Sequence, residues 1–228
     1  MHPTKFRLPR HFFRFKFYRL RLFTGLVSLC LALFLPACKP KELQALLKPS
    51  QALASVVAEE TLRLAGPKKQ IALITYDASW GPASTAEQAL RDALKKHGAT
   101  VFTAKAASLG NPMTSGQVGL KAADFFEALE KSTGAGAVIS LVGPPLLKEG
   151  DTARVRPDHP PVIVIATASL GDKMGVHGDP EQLAGLLEAK IIQLAVIDSA
   201  DPIAQPAAQA DPARELFNQH YAILRRPD

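Results

Sequence analysis

Four short, uninterrupted apolar runs constrain this chain more than any other feature: QIALITY at 70–76, ATVFTA at 99–104, GAVISLV at 136–142 and PVIVIAT at 161–167. A strand with one solvated face alternates apolar and polar residues, whereas continuous runs of this length suit strands buried on both faces of a parallel sheet. The segments between them carry apolar residues at helical spacing. Ala86, Ala89, Leu90, Ala93 and Leu94 mark one helix, which Ser84 and Glu87 open with the S-x-x-E pattern of a capping box and Gly98 stops. Val118, Ala122, Phe125 and Leu129 mark a second, expected to run to about residue 133. Asp179 followed by Pro180 starts a third, with Leu183, Leu186 and Leu187 on its stripe. It either yields near Ile191 to a fifth strand, IQLAVID, or continues as helix to Ile197.

Strands that alternate with amphipathic helices imply right-handed crossovers. The expected fold is therefore α/β, a doubly wound and mainly parallel sheet of four to five strands, flavodoxin-like with strand order 2-1-3-4-5. The stretch 143–160, GPPLLKEGDTARVRPDHP, stands where a crossover helix belongs and reads as a short helical turn within a long loop. Two helices are expected to flank the sheet. One runs over 51–65, capped by Ser50 and ended by Gly66 and Pro67; the other starts at Asp211 and Pro212 with Phe217, Tyr221 and Leu224 on one face.

Charge is distributed unevenly along the 228 residues. The formal net charge of +6 resides in residues 1–37, which hold seven basic residues and no acidic ones; the rest of the chain has 20 basic and 21 acidic side chains. Phosphate neutralisation by a basic working domain is thereby disfavoured, and no nucleic-acid partner is expected. The basic segment precedes 14 uncharged apolar residues at 22–35, too few for the roughly 20 that span a bilayer as a helix and suited to the core of a signal peptide.

Leu35, Pro36, Ala37 and Cys38 follow, and this quartet resembles the lipobox of bacterial lipoproteins. The resemblance implies cleavage after Ala37, a diacylglyceryl group on Cys38 Sγ, attachment to a membrane through that lipid, and a place in the cell envelope facing the periplasm or the exterior. Cys30 would be removed with the leader. Cys38 would then be the only exported cysteine, which excludes an internal disulfide, redox CxxC chemistry and thiolate zinc sites. The organisation expected is a signal peptide at 1–37, a tether at 38–49, the α/β domain at 50–199, a Pro/Ala/Gln linker at 200–210 and a C-terminal helix at 211–228.

Ligands of open α/β sheets bind beyond the carboxyl ends of the strands. That rule places Asp77, Ser79 and Trp80 after the first strand, Gly143 after the third, Ser169 and Asp172 after the fourth and Asp198 after the fifth, on one rim. Trp80, the sole tryptophan, suits either a stacking platform for a sugar or ring or, more often in such loops, packing over the sheet end. Asp77 with Asp172 would serve a hydrolase as a carboxylate pair, but a single Asp after a strand is commonplace in turns. His159, His177 and Asp179 lack zinc-like spacing, Asp179 is explained as a helix cap, and His97 suits a helix C-terminus. Phosphate-loop, nucleophile-elbow and H-E-x-x-H motifs are absent. No catalytic residue, metal or cofactor is therefore expected.

The order of elements over 69–199, with GAVISLVGPP after the second helix and LLEAKIIQLAVIDSADP near the end, resembles one lobe of the type I periplasmic substrate-binding proteins. Those proteins close two lobes around a ligand, and this stretch supplies one. The resemblance implies a non-enzymatic module that binds a small molecule or an envelope partner. A hydrolase using the rim carboxylates and an assembly protein using an exposed apolar stripe at 212–224 are the alternatives. The anchor is tested first: Cys38→Ser should abolish fatty-acid labelling of the expressed protein and release it from the membrane fraction, and labelling that persists in the variant would refute acylation at this residue.

Overall fold

The computed structural model describes residues 41–77, 84–108, 119–167, 179–199 and 211–226. In chain order the elements are α1 (Lys41–Ala65), β1 (Gln70–Tyr76), α2 (Thr85–Lys96), β2 (Thr100–Ala107), β3 (Leu120–Lys121), α3 (Ala122–Lys131), β4 (Ala137–Ser140), β5 (Pro145–Leu146), β6 (Val162–Ala166), α4 (Pro180–Glu188), β7 (Leu194–Asp198), α5 (Pro212–His220) and β8 (Tyr221–Arg225). Six strands make one sheet in the order β2-β1-β4-β6-β7-β8, and β3 pairs with β5 in a separate two-stranded ladder. All pairings in the main sheet are parallel except that of β7 with β8. Its five parallel strands follow the expected order 2-1-3-4-5, so the fold is the doubly wound α/β architecture.

The continuous apolar runs are explained by helices on both faces. Successive side chains of a strand point to opposite sides, and the strands divide accordingly. Ile71, Leu73, Ala137, Ile139, Ile163 and Ile165 join a cluster completed by α1, α2 and α5. Ala72, Ile74, Val138, Val162, Val164 and Ala195 join the other, completed by α3, α4 and Leu147 and Val155 from the connection between β4 and β6. That connection contains β5 and a single 3-10 turn at Thr152–Arg154, which matches the short helical turn expected within a long loop.

Local signals behave as their chemistry requires. Ser84 Oγ accepts the Glu87 N–H at 3.1 Å to cap α2, and Asp179 Oδ1 accepts the Glu181 N–H at 3.0 Å to cap α4. Gly136 permits a close approach: a Cβ there would collide with the Lys68 carbonyl and with Ala65, so only glycine lets the start of β4 pass beside the end of α1.

Three expectations are corrected. Helix α1 begins at Lys41 and continues through Pro49 and Ser50, across the stretch read as a tether with a cap at Ser50. A proline inside a helix removes one hydrogen bond, and the buried run Ala52, Leu53, Ala54, Val56, Val57 and Ala58 supplies the packing that holds the helix from its next turn onward. Helix α3 begins at Ala122, because Leu120 and Lys121 pair with Pro145 and Leu146.

At the C-terminus the helix stops at His220 and Tyr221–Arg225 turns into an antiparallel edge strand. The spacing of Phe217 and Tyr221 that suggested one continuous helix survives as a ring contact, centroids 5.4 Å apart, across the helix-to-strand junction. As a strand the segment feeds both cores at once, Tyr221 and Ile223 on one face and Leu224 on the other, and satisfies backbone groups of β7. Phe217 and Tyr221 are buried, so 212–224 offers no exposed stripe of the kind an assembly helix needs.

The returning C-terminal segment is fastened to α1 by two adjacent carboxylates, Glu59, which takes Arg214 Nη2 at 2.6 Å, and the more buried Glu60. Glu60, 7% exposed, takes Arg63 Nε at 3.0 Å, Arg225 Nη2 at 2.7 Å and Arg214 Nη1 at 3.3 Å. Burial by itself would raise its pKa, but the Arg63 hydrogen bond and the charges of Arg225, Arg63 and Arg214 together outweigh it and hold the carboxyl below its ordinary value. A lowered folded-state value means that the stabilisation is complete above the unfolded value of 4.5 and is lost as the pH falls through the folded one. Glu60→Gln should therefore cost about 2 kcal/mol at pH 7. The gap between the two proteins in urea denaturation should close as the pH falls below that of an ordinary carboxylate; a gap independent of pH would exclude charge as its origin.

Candidate functional site

The interior of the sheet is apolar until the carboxyl ends of its strands, where polar side chains replace aliphatic ones. β1 finishes as Thr75, Tyr76 and Asp77, β4 as Ser140, β6 runs into Thr167, and β7 ends at Asp198 followed by Ser199. Ser140 and Thr167 are completely buried and Thr75 nearly so, which is unusual for hydroxyls unless each is hydrogen bonded. Among the described residues no buried side-chain nitrogen or oxygen lacks a partner.

Ser140 shows how the edge is built. Its Oγ donates to the Gly143 carbonyl at 2.6 Å, and Gly143 takes φ +83°, a left-handed conformation open to glycine at no steric cost. The Leu141 N–H is given to the Ile74 carbonyl at 2.9 Å, so this tight turn is pinned to the neighbouring strand. It lies where the sheet reverses its winding: β2 lies on one side of β1 and β4 on the other, with α2 and α3 on opposite faces. Such a switch point leaves a crevice between adjacent strand ends. Beside the turn a groove of about 270 Å³ runs from Pro145 between α4 and the segment after β5, with Leu147, Leu186 and Ile191 as its apolar lining. Gln182 Nε2 donates to the Pro145 carbonyl at 3.3 Å, tying α4 to the turn.

Of the residues singled out from the sequence, Asp77, Gly143 and Asp198 stand on this edge. Asp77 is half-buried and its N–H is given to the Ala107 carbonyl at 3.0 Å; Gly143 is buried; Asp198 is exposed and registers with Tyr221 of β8. Ser79, Trp80, Ser169, Asp172 and Cys38 lie outside the described residues. β1 and β7 are separated by two intervening strands, so Asp77 and Asp198 stand roughly 14 Å apart at the usual inter-strand spacing. Paired carboxyls of glycoside hydrolases lie within about 10 Å of each other. The buried hydroxyls Thr75, Ser140 and Thr167 were not among the candidates. Their signal in the sequence is a hydroxyl at the end of an apolar strand run, legible only once the strand direction places it on the ligand-binding edge.

Of the three metal candidates, Asp179 and His159 are kept apart by α4. Asp179 caps its start, whereas the His159 ring nitrogens lie 2.7 Å from the Pro160 carbonyl and 3.3 Å from that of Lys190, beyond its other end. His177 lies outside the described residues. Among the described residues no three His, Cys, Asp or Glu side chains come together as a metal site. His97 is the C-cap of α2, its N–H directed to the Ala93 and Leu94 carbonyls.

Comparison with family models, with curated proteins and with solved structures gives no match to this chain. Its chemistry is therefore read from its own geometry.

The turn at the switch point yields a prediction. Ser140→Ala leaves the buried Gly143 carbonyl without its donor, and should lower stability by about 1 to 3 kcal/mol in urea denaturation. A smaller loss in Ser140→Thr, which keeps a hydroxyl, would trace the effect to the hydrogen bond; equal losses in both would trace it to packing.

Proposed function

We propose that this chain is a lipid-anchored protein of the cell envelope whose α/β module binds a small molecule, without transforming it, at the carboxyl edge of its sheet. The observation that carries the reading is the polar rim of an otherwise apolar parallel sheet, with the Ser140–Gly143 turn at the switch point and an apolar groove beginning beside it. Small-molecule sites in such folds combine an apolar lining with a few placed polar groups, and this edge supplies both.

The anchor rests on the sequence from Leu35 to Cys38 and on the basic, then apolar, leader before it. Among the described residues no helix is long and apolar enough to cross a membrane. The order of elements over 69–199, which resembles one lobe of a periplasmic binding protein, supports capture of a ligand, whereas Asp172, which a hydrolase would pair with Asp77, lies outside the described residues.

The test uses the full chain in a non-ionic detergent, screened by thermal shift against sugars, amino acids and nucleosides. A ligand of the rim should raise the melting temperature and change the emission of Trp80, the one tryptophan, saturably. Trp80→Ala should then weaken that ligand by about 1 to 3 kcal/mol while leaving stability nearly unchanged. If the same substitution instead costs roughly 3 to 5 kcal/mol of folding stability, Trp80 is a packing residue and its part in the rim is refuted.

A further inference from the structure

At the opposite edge of the sheet, where β7 starts and β8 ends, a second cavity of about 450 Å³ is lined by Arg63, Lys190, Arg225 and Arg226 together with Leu64 and Ile192. Its cations come from the end of α1, the turn after α4 and the C-terminal strand. No acidic side chain lines it. Glu60 engages Arg63 and Arg225 through one nitrogen of each guanidinium, and Lys190 and Arg226 add two further positive charges to the lining.

The backbone supplies an independent observation at one of these residues. Helices α2 and α4 end in the same turn: the Ala99 N–H reaches the Leu94 carbonyl at 3.0 Å, and the Ile191 N–H reaches that of Leu186 at 3.0 Å. This closure needs a left-handed residue just past the helix, ordinarily glycine. After α2 that residue is Gly98 at φ +79°; after α4 it is Lys190 at φ +60°. Among the described residues every other positive φ belongs to glycine, which makes Lys190 the exception. A lysine in this conformation is strained by its Cβ. Strain of this kind persists at functional positions, and the side chain retained here lines the cationic cavity. Basic residues near helix C-termini are favoured by the helix dipole, but that preference would be met equally well one residue earlier, without strain.

We infer that this cavity is a binding site for a phosphoryl group, carried on a ligand whose apolar part lies against Leu64 and Ile192. Arginine forks match the tetrahedral, multiply charged phosphoryl oxygens, and a lysine adds a compact charge. The volume exceeds one phosphate ion and falls in the range of small-molecule sites. The site is separate from the rim proposed above and does not depend on it, because Leu194 registers with Arg225 at this end of β7 and Asp198 with Tyr221 at the other.

The experiment titrates the full chain in a non-ionic detergent with inorganic phosphate, and separately with dihexanoyl phosphatidylglycerol, by calorimetry at low salt. The wild type, Lys190→Gly and Arg226→Gln are compared with a control, Arg156→Gln, whose arginine lines a different cavity together with Phe126, Arg154 and His159. Saturable binding that falls roughly tenfold in Lys190→Gly and Arg226→Gln, and is unchanged in Arg156→Gln, supports the site. Lys190→Gly should at the same time melt at a higher temperature than the wild type, since glycine relieves the left-handed strain; a binding loss with a gain in stability cannot arise from misfolding. Binding of the lipid but not of phosphate assigns a headgroup, and binding of phosphate with no further gain from the lipid assigns a soluble phosphoryl ligand. Failure of both probes to bind, or binding indifferent to Lys190 and Arg226, overturns the inference.

Discussion

Burial of the sheet on both faces is the constraint on which the rest of the structure depends. The central strands β4 and β6 are buried along their whole length, so neither face tolerates water and each must be covered. A parallel strand cannot return by a tight turn, and the connections that carry the chain from one strand to the next supply the cover. α2 lies on one face and α3 and α4 on the other. Where the connection from β4 to β6 lacks a helix, Leu147 and Val155 fill the second face from irregular backbone. The resulting reversal between β1 and β4 opens the crevice that the rim surrounds.

α1 and the segment from α5 to β8 close the remaining gaps in that cover. α1 joins α2 and α5 on the first face, and β8 pairs with the edge that β7 would otherwise expose. An uncovered parallel edge is a template for unwanted strand pairing, and an antiparallel cap with Arg225 and Arg226 at its end discourages further addition. Glu60 links α1 to the C-terminal segment through Arg214 and Arg225. These two and its third partner, Arg63, are partly exposed, whereas the carboxylate they share is largely buried.

The two edges of the sheet differ in chemistry as well as in position. The carboxyl edge gathers hydroxyls and carboxylates at the strand ends, with Ser140 bonded to the backbone of its own turn. The amino edge gathers arginine and lysine around helix C-termini, and it includes a lysine in a conformation that glycine would adopt without strain. The near-neutral stretch after residue 37 thus carries a cationic cavity that its overall charge conceals, because 20 basic and 21 acidic side chains say nothing about where each sits.

Sequence alone determined the parallel, doubly wound sheet and its strand order. Runs such as QIALITY and VIVIA are incompatible with a solvated face, and the caps at Ser84 and Asp179 act within one turn of chain, where no distant residue competes. It also placed Asp77, Gly143 and Asp198 on one edge, since strand direction follows from the alternation of elements. Only the tertiary structure decided that α1 runs through Pro49, that Tyr221–Arg225 is a strand, that Ser140 secures the Gly143 turn, and that Arg63, Lys190 and Arg226 meet in one cavity. The last strand shows the reason. Helical spacing at Phe217 and Tyr221 fits a helix or a junction equally well, and the choice is made by the unpaired edge of β7, a feature that exists only once the distant strands have assembled.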